Sequence, residues 1–268
     1  MRIRTLLVVA AAVVVTACQT VQTTQPGTVG VNRKQMMLVS EQDIEKGAQE
    51  AYAQELQKAR DKGALNADRA TYDRIQRITQ RLIPQTTVFR PDAGQWKWEV
   101  NVQQTDDVNA YCMPGGKIMV YTGLIDQLKA TDAELAAVIG HEIAHALREH
   151  SRERISRAYA EQIALAGVAI ATGAGEGTMA LASQISQVTF TLPHSRDQEA
   201  EADRIGLELM ARAGYDPNAA VTLWQKMSKL GGSGPPEFLS THPSSASRIK
   251  DLEALVPKVL PLYQAAAK

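Results

Sequence analysis

Five residues, His141-Glu142-Ile143-Ala144-His145, constrain this chain more than any other stretch. Thr131 and Glu134 form a capping box upstream, and Leu135, Val138, Ile139 and Ile143 fall at helical spacing, so the motif is expected inside a helix. Residues i and i+4 share a helix face, and two imidazoles on one face can hold one metal ion. Glu142, next along the backbone, is placed to reach a water on that metal, as a general base requires.

A catalytic zinc site needs a third protein ligand and an open position. Arg148 and Ser151 occupy the places where a longer histidine motif would need Gly and His. His150 is displaced from the shared face and reads as a helix-end imidazole. Ser195-Arg196-Asp197-Gln198-Glu199-Ala200-Glu201-Ala202-Asp203 offers a better candidate. On a helix, Glu199 and Asp203 lie one turn apart on one face while Glu201 points elsewhere. Glu199 could close a His₂Glu site, and Asp203 could accept a hydrogen bond from a ligand's second ring nitrogen. From the residues alone, this stretch is equally well a solvated acidic helix face.

The first eighteen residues differ in kind from the rest. Arg2 and Arg4 precede an apolar run, Leu6 to Val15, which ends in Thr16-Ala17-Cys18. That is the pattern of a secretory signal peptide, too short for the roughly 20 residues that span a bilayer. Val15-Thr16-Ala17-Cys18 also resembles a bacterial lipobox, which makes Cys18 the expected lipidation site and membrane anchor. Cys112 is then a lone thiol and no intramolecular disulfide can form. Residues 19–35, rich in Gln, Thr and Gly without apolar periodicity, read as a flexible tether. The expected division is a leader over 1–17, a lipid-anchored tether over 18–39 and one catalytic domain over 40–268. Lys+Arg and Asp+Glu balance at 29 each, which argues against a basic nucleic-acid binder.

Ser40 to Asp43 caps a helix running to about Ala59, and a second is expected from about Ala67 to Ile83. Residues 96–104 alternate as a strand does, with Trp96, Trp98, Val100 and Val102 on one side. Lys117 to Tyr121 is a second β run, reached through Met113-Pro114-Gly115-Gly116. Everything later has helical character, including 163–190, which reads as buried or lid-forming helices. The glycine-rich segments 173–177 and 231–234 carry no phosphate-binding motif and read as connections. Few strands early and many helices later indicate an α+β domain with a small, largely antiparallel sheet.

The HEIAH motif, Glu199 with Asp203, Asn109-Ala110-Tyr111-Cys112-Met113-Pro114-Gly115-Gly116, and Thr241-His242-Pro243 with Arg248 together resemble metallopeptidase family 48. This is the group of HExxH zinc metalloproteases of the HtpX, BepA and LoiP type, and the lipobox suggests a single-domain lipoprotein member. The resemblance spans roughly residues 40–255. It implies a mostly helical zincin (gluzincin) fold whose small sheet borders the active-site helix, and one zinc ion per chain. It implies His141, His145 and Glu199 as zinc ligands and Glu142 as general base. Asp203 matches an acidic residue behind the ligands, His242 a histidine near the metal, and Arg248 a basic residue that supports the site. Asn109, Ala110, Tyr111 and Cys112 match the strand that borders the cleft and would bind substrate. Cys112 is larger than the small residue common there. His242 could stabilise the oxyanion, or occupy the fourth zinc position and keep the enzyme latent.

The implied activity is a zinc metalloendopeptidase acting on polypeptide substrates, without nucleic acid, in envelope protein quality control. The implied address is the periplasm, at the outer membrane of a Gram-negative bacterium. The competing reading is a zinc-stabilised chaperone or envelope-assembly module that cleaves little. Structural zinc sites are closed by four protein ligands and need no general base, so Glu142 favours the enzyme.

Overall fold

A computed structural model describes residues 19–166, 178–230, 237–243 and 246–266. The leader and Cys18 lie outside these residues, as do the glycine-rich stretches 173–177 and 231–234.

The segment expected as a tether is part of the domain. Strand β1 (Gln19–Val21) pairs antiparallel with β2 (Gln35–Met37), and Thr24, Val29, Val31 and Gln35 between and within them are buried. The flexible tether is therefore corrected over 19–37. These residues are held by single buried side chains and polar contacts rather than by a repeating apolar face, so periodicity could not reveal them.

Helix α1 (Glu41–Asp61) starts where Ser40 accepts from the Asp43 backbone N–H, and α2 (Arg69–Leu82) where Asp68 accepts from Ala70 and Thr71. Strands β3 (Glu99–Gln103), β4 (Ala110–Met113) and β5 (Lys117–Tyr121) form a sheet in the order β3-β5-β4. Gly115 and Gly116, at φ +75° and +79°, supply the left-handed turn between β4 and β5. The β4–β5 pair is antiparallel, but β3 joins β5 in parallel. The chain crosses past β5's place before β4 turns back, which no local pattern encodes. The α+β class holds, with this sheet mixed and β4 at its edge.

Side-chain alternation splits the sheet's faces. Ala110, Cys112, Ile118 and Val120 join the main core with α4 (Asp132–Leu147), while Tyr111, Met113, Met119 and Tyr121 face α1 and α6 (Thr178–Phe190). Between them α3 (Thr122–Leu128) leads from β5 towards α4, and α5 (His150–Ala166) leaves it. The remaining α-helices among the described residues are α7 (Arg196–Arg212), α8 (Asn218–Met227), α9 (Glu237–Thr241) and α10 (Ala246–Ala266). No helix among the described residues is long and apolar enough to cross a membrane.

The decisive packing is α4 against α7. A Cβ built on Gly206 would stand 2.7 Å from the His141 backbone nitrogen, and one on Gly140 would stand 3.0 Å from the Gly206 carbonyl oxygen. Two glycines thus let the backbones touch at the start of the HEIAH motif, which brings its histidines beside Glu199 and Asp203.

Candidate metal centre

Helix α4 is capped by the expected Thr131–Glu134 box and carries His141, Glu142 and His145, all buried. Helix α7 opens with a second box, Ser195 with Gln198, and carries Glu199 and Asp203, also buried. The solvated-face reading of the acidic stretch is thereby excluded.

His141 Nε2 and His145 Nε2 are 3.1 Å apart. Glu199 faces both, with Oε2 3.7 Å from His141 Nε2 and Oε1 3.4 Å from His145 Nε2. His242 completes the group: ligand atoms of His141, His145, Glu199 and His242 all lie within 4.8 Å of one another. Glu142 Oε1 stands 3.5 Å from His242 Nε2.

The electrostatics identify what this group can hold. Asp203 would be pushed up by burial, but two 2.7 Å hydrogen bonds from Arg248 and the contact with His141 hold it at about 2. An ionised carboxylate only accepts, so His141 Nδ1, 3.0 Å from Asp203 Oδ1, carries the proton and Nε2 presents a lone pair. His242 Nδ1 lies 2.9 Å from the Thr241 hydroxyl, which can donate or accept, and 3.2 Å from the Phe238 carbonyl, and its Nε2 faces the site. Glu142 Oε1, Glu199 Oε1 and His242 Nε2 are buried without a hydrogen-bond partner. Burial pushes Glu199 up to about 8 against the pull of Arg248, and burial with the nearby Glu199 charge pushes Glu142 well above the usual range. Converging ring nitrogens and the unpartnered Oε1 atoms of Glu142 and Glu199 suit a cation, and two imidazoles with a carboxylate suit zinc.

Arg248 anchors the far wall. Its Nη1 lies 2.6 Å from Glu199 Oε2, and its guanidinium sits 3.8 Å over the Trp224 ring. Phe238 stacks on His242 with ring centroids 4.3 Å apart and planes within 14°. On the other side the edge strand β4 presents Asn109, Ala110, Tyr111 and Cys112 to a cavity of about 20 Å³ shared with Glu142, His145, Thr189, His194 and His242. Phe190, at the end of α6, packs edge-on against Tyr111 at 5.1 Å. An open cavity of about 560 Å³ adjoins it, lined by His194, Glu199 and Arg248 among others.

A family model described as Peptidase family M48 matches residues 69–256. The chain belongs to peptidase family M48. Zinc is the usual cofactor of M48 peptidases, and the donor set here fits it. Mitochondrial metalloendopeptidase OMA1 of Schizosaccharomyces pombe is 35% identical over 85% of this chain and 65% of its own length. The protein of the same name in Arabidopsis thaliana is 44% identical over 57% of this chain and 30% of its own length. Metalloprotease YcaL of Escherichia coli is 30% identical over 56% of this chain and 59% of its own length. This chain thus spans 30–65% of the length of these M48 relatives.

The relatives correct one expectation. Five relatives at 34–44% identity carry mitochondrial names, so the placement as a periplasmic lipoprotein at a Gram-negative outer membrane does not stand.

Sequence reasoning missed two histidines and one carboxylate. His150 is no idle helix-end imidazole: it is buried, with Nδ1 2.8 Å from His145 Nδ1 and Nε2 3.1 Å from Glu201 Oε2. Glu149, at φ +51°, makes the left-handed turn that folds His150 back over His145. The His194 ring lies 4.0 Å from that of His145. All five histidines of the chain therefore gather at this one centre. Their convergence had one legible signal: His194 immediately precedes Ser195, the cap of the helix that carries Glu199.

Proposed function

We propose that this chain is a zinc-dependent endopeptidase that cuts extended polypeptide segments laid along the edge of β4. The observation that carries the reading is the buried Glu142 carboxylate beside the convergent lone pairs of His141, His145 and Glu199. Zinc held there would supply Lewis acidity, polarising a carbonyl and lowering the pKa of a bound water to about 7. Glu142 Oε1 takes the proton released as water attacks the carbonyl, and returns it to the leaving amine. A carboxylate with raised proton affinity suits both transfers. Asp203 and Arg248 hold His141 and Glu199 in place throughout. Edge-strand pairing along Asn109 to Cys112 supplies backbone hydrogen bonds with little demand on sequence.

The geometry also supports a latent resting state. His242 stands within the ligand set, close enough to His141, His145 and Glu199 to serve as a fourth ligand.

A zinc-stabilised chaperone is the alternative, and one experiment separates the two. An unfolded protein such as reduced casein is incubated with the chain, with chelator, and with zinc restored. Internal cuts that stop with chelator and resume with zinc support the peptidase. Suppressed aggregation with no cut under any of these conditions supports the chaperone.

A further inference from the structure

We propose that His150 is a positioning residue for the metal ligand His145, itself set by Glu201 and, through Arg33, by the N-terminal segment. This rests on the metal-centre reading above. The chain of contacts runs inward from the surface. Arg33 donates from Nε to Glu201 Oε1 at 2.6 Å and from Nη1 to Glu153 Oε1 at 2.6 Å. Arg148, fully buried, donates from Nε to Glu201 Oε2 at 3.0 Å and from Nη2 to the Arg33 carbonyl at 2.9 Å. Glu201 is thus an ionised acceptor fixed by two guanidinium groups, one of them from the segment over 20–37.

Proton placement then follows without reference to a metal. Glu201 Oε2 only accepts, so His150 Nε2, 3.1 Å away, carries the proton. With one proton per ring, His150 Nδ1 is an acceptor, and His145 Nδ1, 2.8 Å away, is the donor. His145 must therefore present Nε2 as a lone pair, and Nε2 is the atom that faces His141 and Glu199. His141 reaches the same state through a carboxylate directly, by Asp203. The two zinc ligands on one helix are oriented by different devices, and the His145 device spans three elements: α5, α7 and the N-terminal segment. Groups behind a ligating histidine fix its tautomer and its basicity, and their loss costs about 10–100-fold in metal affinity.

The test measures zinc affinity by chelator competition on the full chain, with circular dichroism to confirm folding, for His150→Asn, His150→Gln and His150→Leu. Asn keeps an acceptor at the position of Nδ1, whereas Gln keeps only a donor towards Glu201. The order expected is wild type, then Asn, then Gln and Leu, with Leu about 10–100-fold weaker than wild type. Cobalt substitution should show a shifted visible spectrum for Gln and Leu but not for Asn. Arg33→Ala, a partly exposed site, is expected to weaken zinc by a smaller factor and covers the case in which His150 variants fold poorly. Equal zinc affinity in wild type, His150→Leu and Arg33→Ala overturns the proposal. So does Asn binding no better than Gln. Two zinc ions per wild-type chain would overturn it as well, because His145, His150 and His194 would then be a second site. A wild-type chain that binds no zinc would instead overturn the metal-centre reading and this proposal with it.

Discussion

Gly206 of α7 rests on the backbone of His141, so close that a Cβ there would lie 2.7 Å from the His141 nitrogen. This contact, rather than any side chain, sets the distance between the helix of the two histidines and the helix of Glu199 and Asp203. Gly206→Ala must push the helices apart. Overpacking of this kind costs about 1–3 kcal/mol, so a thermal melt should fall by several degrees and zinc retention should fall with it. An alanine variant with wild-type melting and zinc content would show that the crossing tolerates more space than the geometry allows.

Asp203 stands behind His141, its Oδ1 3.0 Å from His141 Nδ1. Asp203→Ala removes the acceptor behind His141 Nδ1 and leaves Arg248 without its bidentate partner. Zinc affinity is expected to fall about 10–100-fold. Asp203→Asn keeps an acceptor oxygen but no charge, and should fall between alanine and wild type in an equilibrium chelator titration.

His242, if it is the resting fourth ligand, restrains the enzyme. His242→Ala should then release zinc faster to a chelator while cleaving short peptides at a higher kcat than wild type. Unchanged zinc release with a reduced kcat would assign His242 to transition-state stabilisation instead.

The N-terminal segment gives the fold an acid-sensitive clasp. Burial would raise Glu201, but its bonds to His150, Arg33 and Arg148 hold it at about 2, and Glu153 is held low chiefly by Arg33 against the same burial. A carboxylate depressed in the folded state stabilises it above the ordinary carboxylate range and loses that contribution as pH falls through the folded value. Stability should therefore decline from about pH 5 to about pH 2. Arg33→Ala brings both folded values nearer the unfolded ones, so it lowers stability at neutral pH and flattens the decline. Tryptophan fluorescence followed from neutral pH downward should place its unfolding midpoint at higher pH than wild type.

Much of this architecture is written in local chemistry. Thr131 with Glu134 and Ser40 with Asp43 announce their helices because caps act within four residues, and Lys117 to Tyr121 is the strand that its β-type run implies. The i, i+4 spacing places His141 beside His145 and Glu199 beside Asp203 for the same reason. Contacts that depend on the returning chain are not legible. Nothing local says that β5 lies between β3 and β4, that Val29 and Val31 are buried, or that Gly140 meets Gly206. The relay from Glu201 to His145 escaped notice for a related reason. His150 is off the helix face of His145 in a continuous helix, and only the left-handed Glu149 brings the two rings together.

Glu142→Gln tests the central claim most directly, because it keeps the size of the side chain and removes its ability to take a proton. Cleavage of an unfolded protein and zinc content should be measured on the same preparation. The account predicts one zinc per chain in both proteins and a loss of about 10²–10⁴-fold in kcat for the variant. A variant that holds its zinc and still cleaves at the wild-type rate would contradict it.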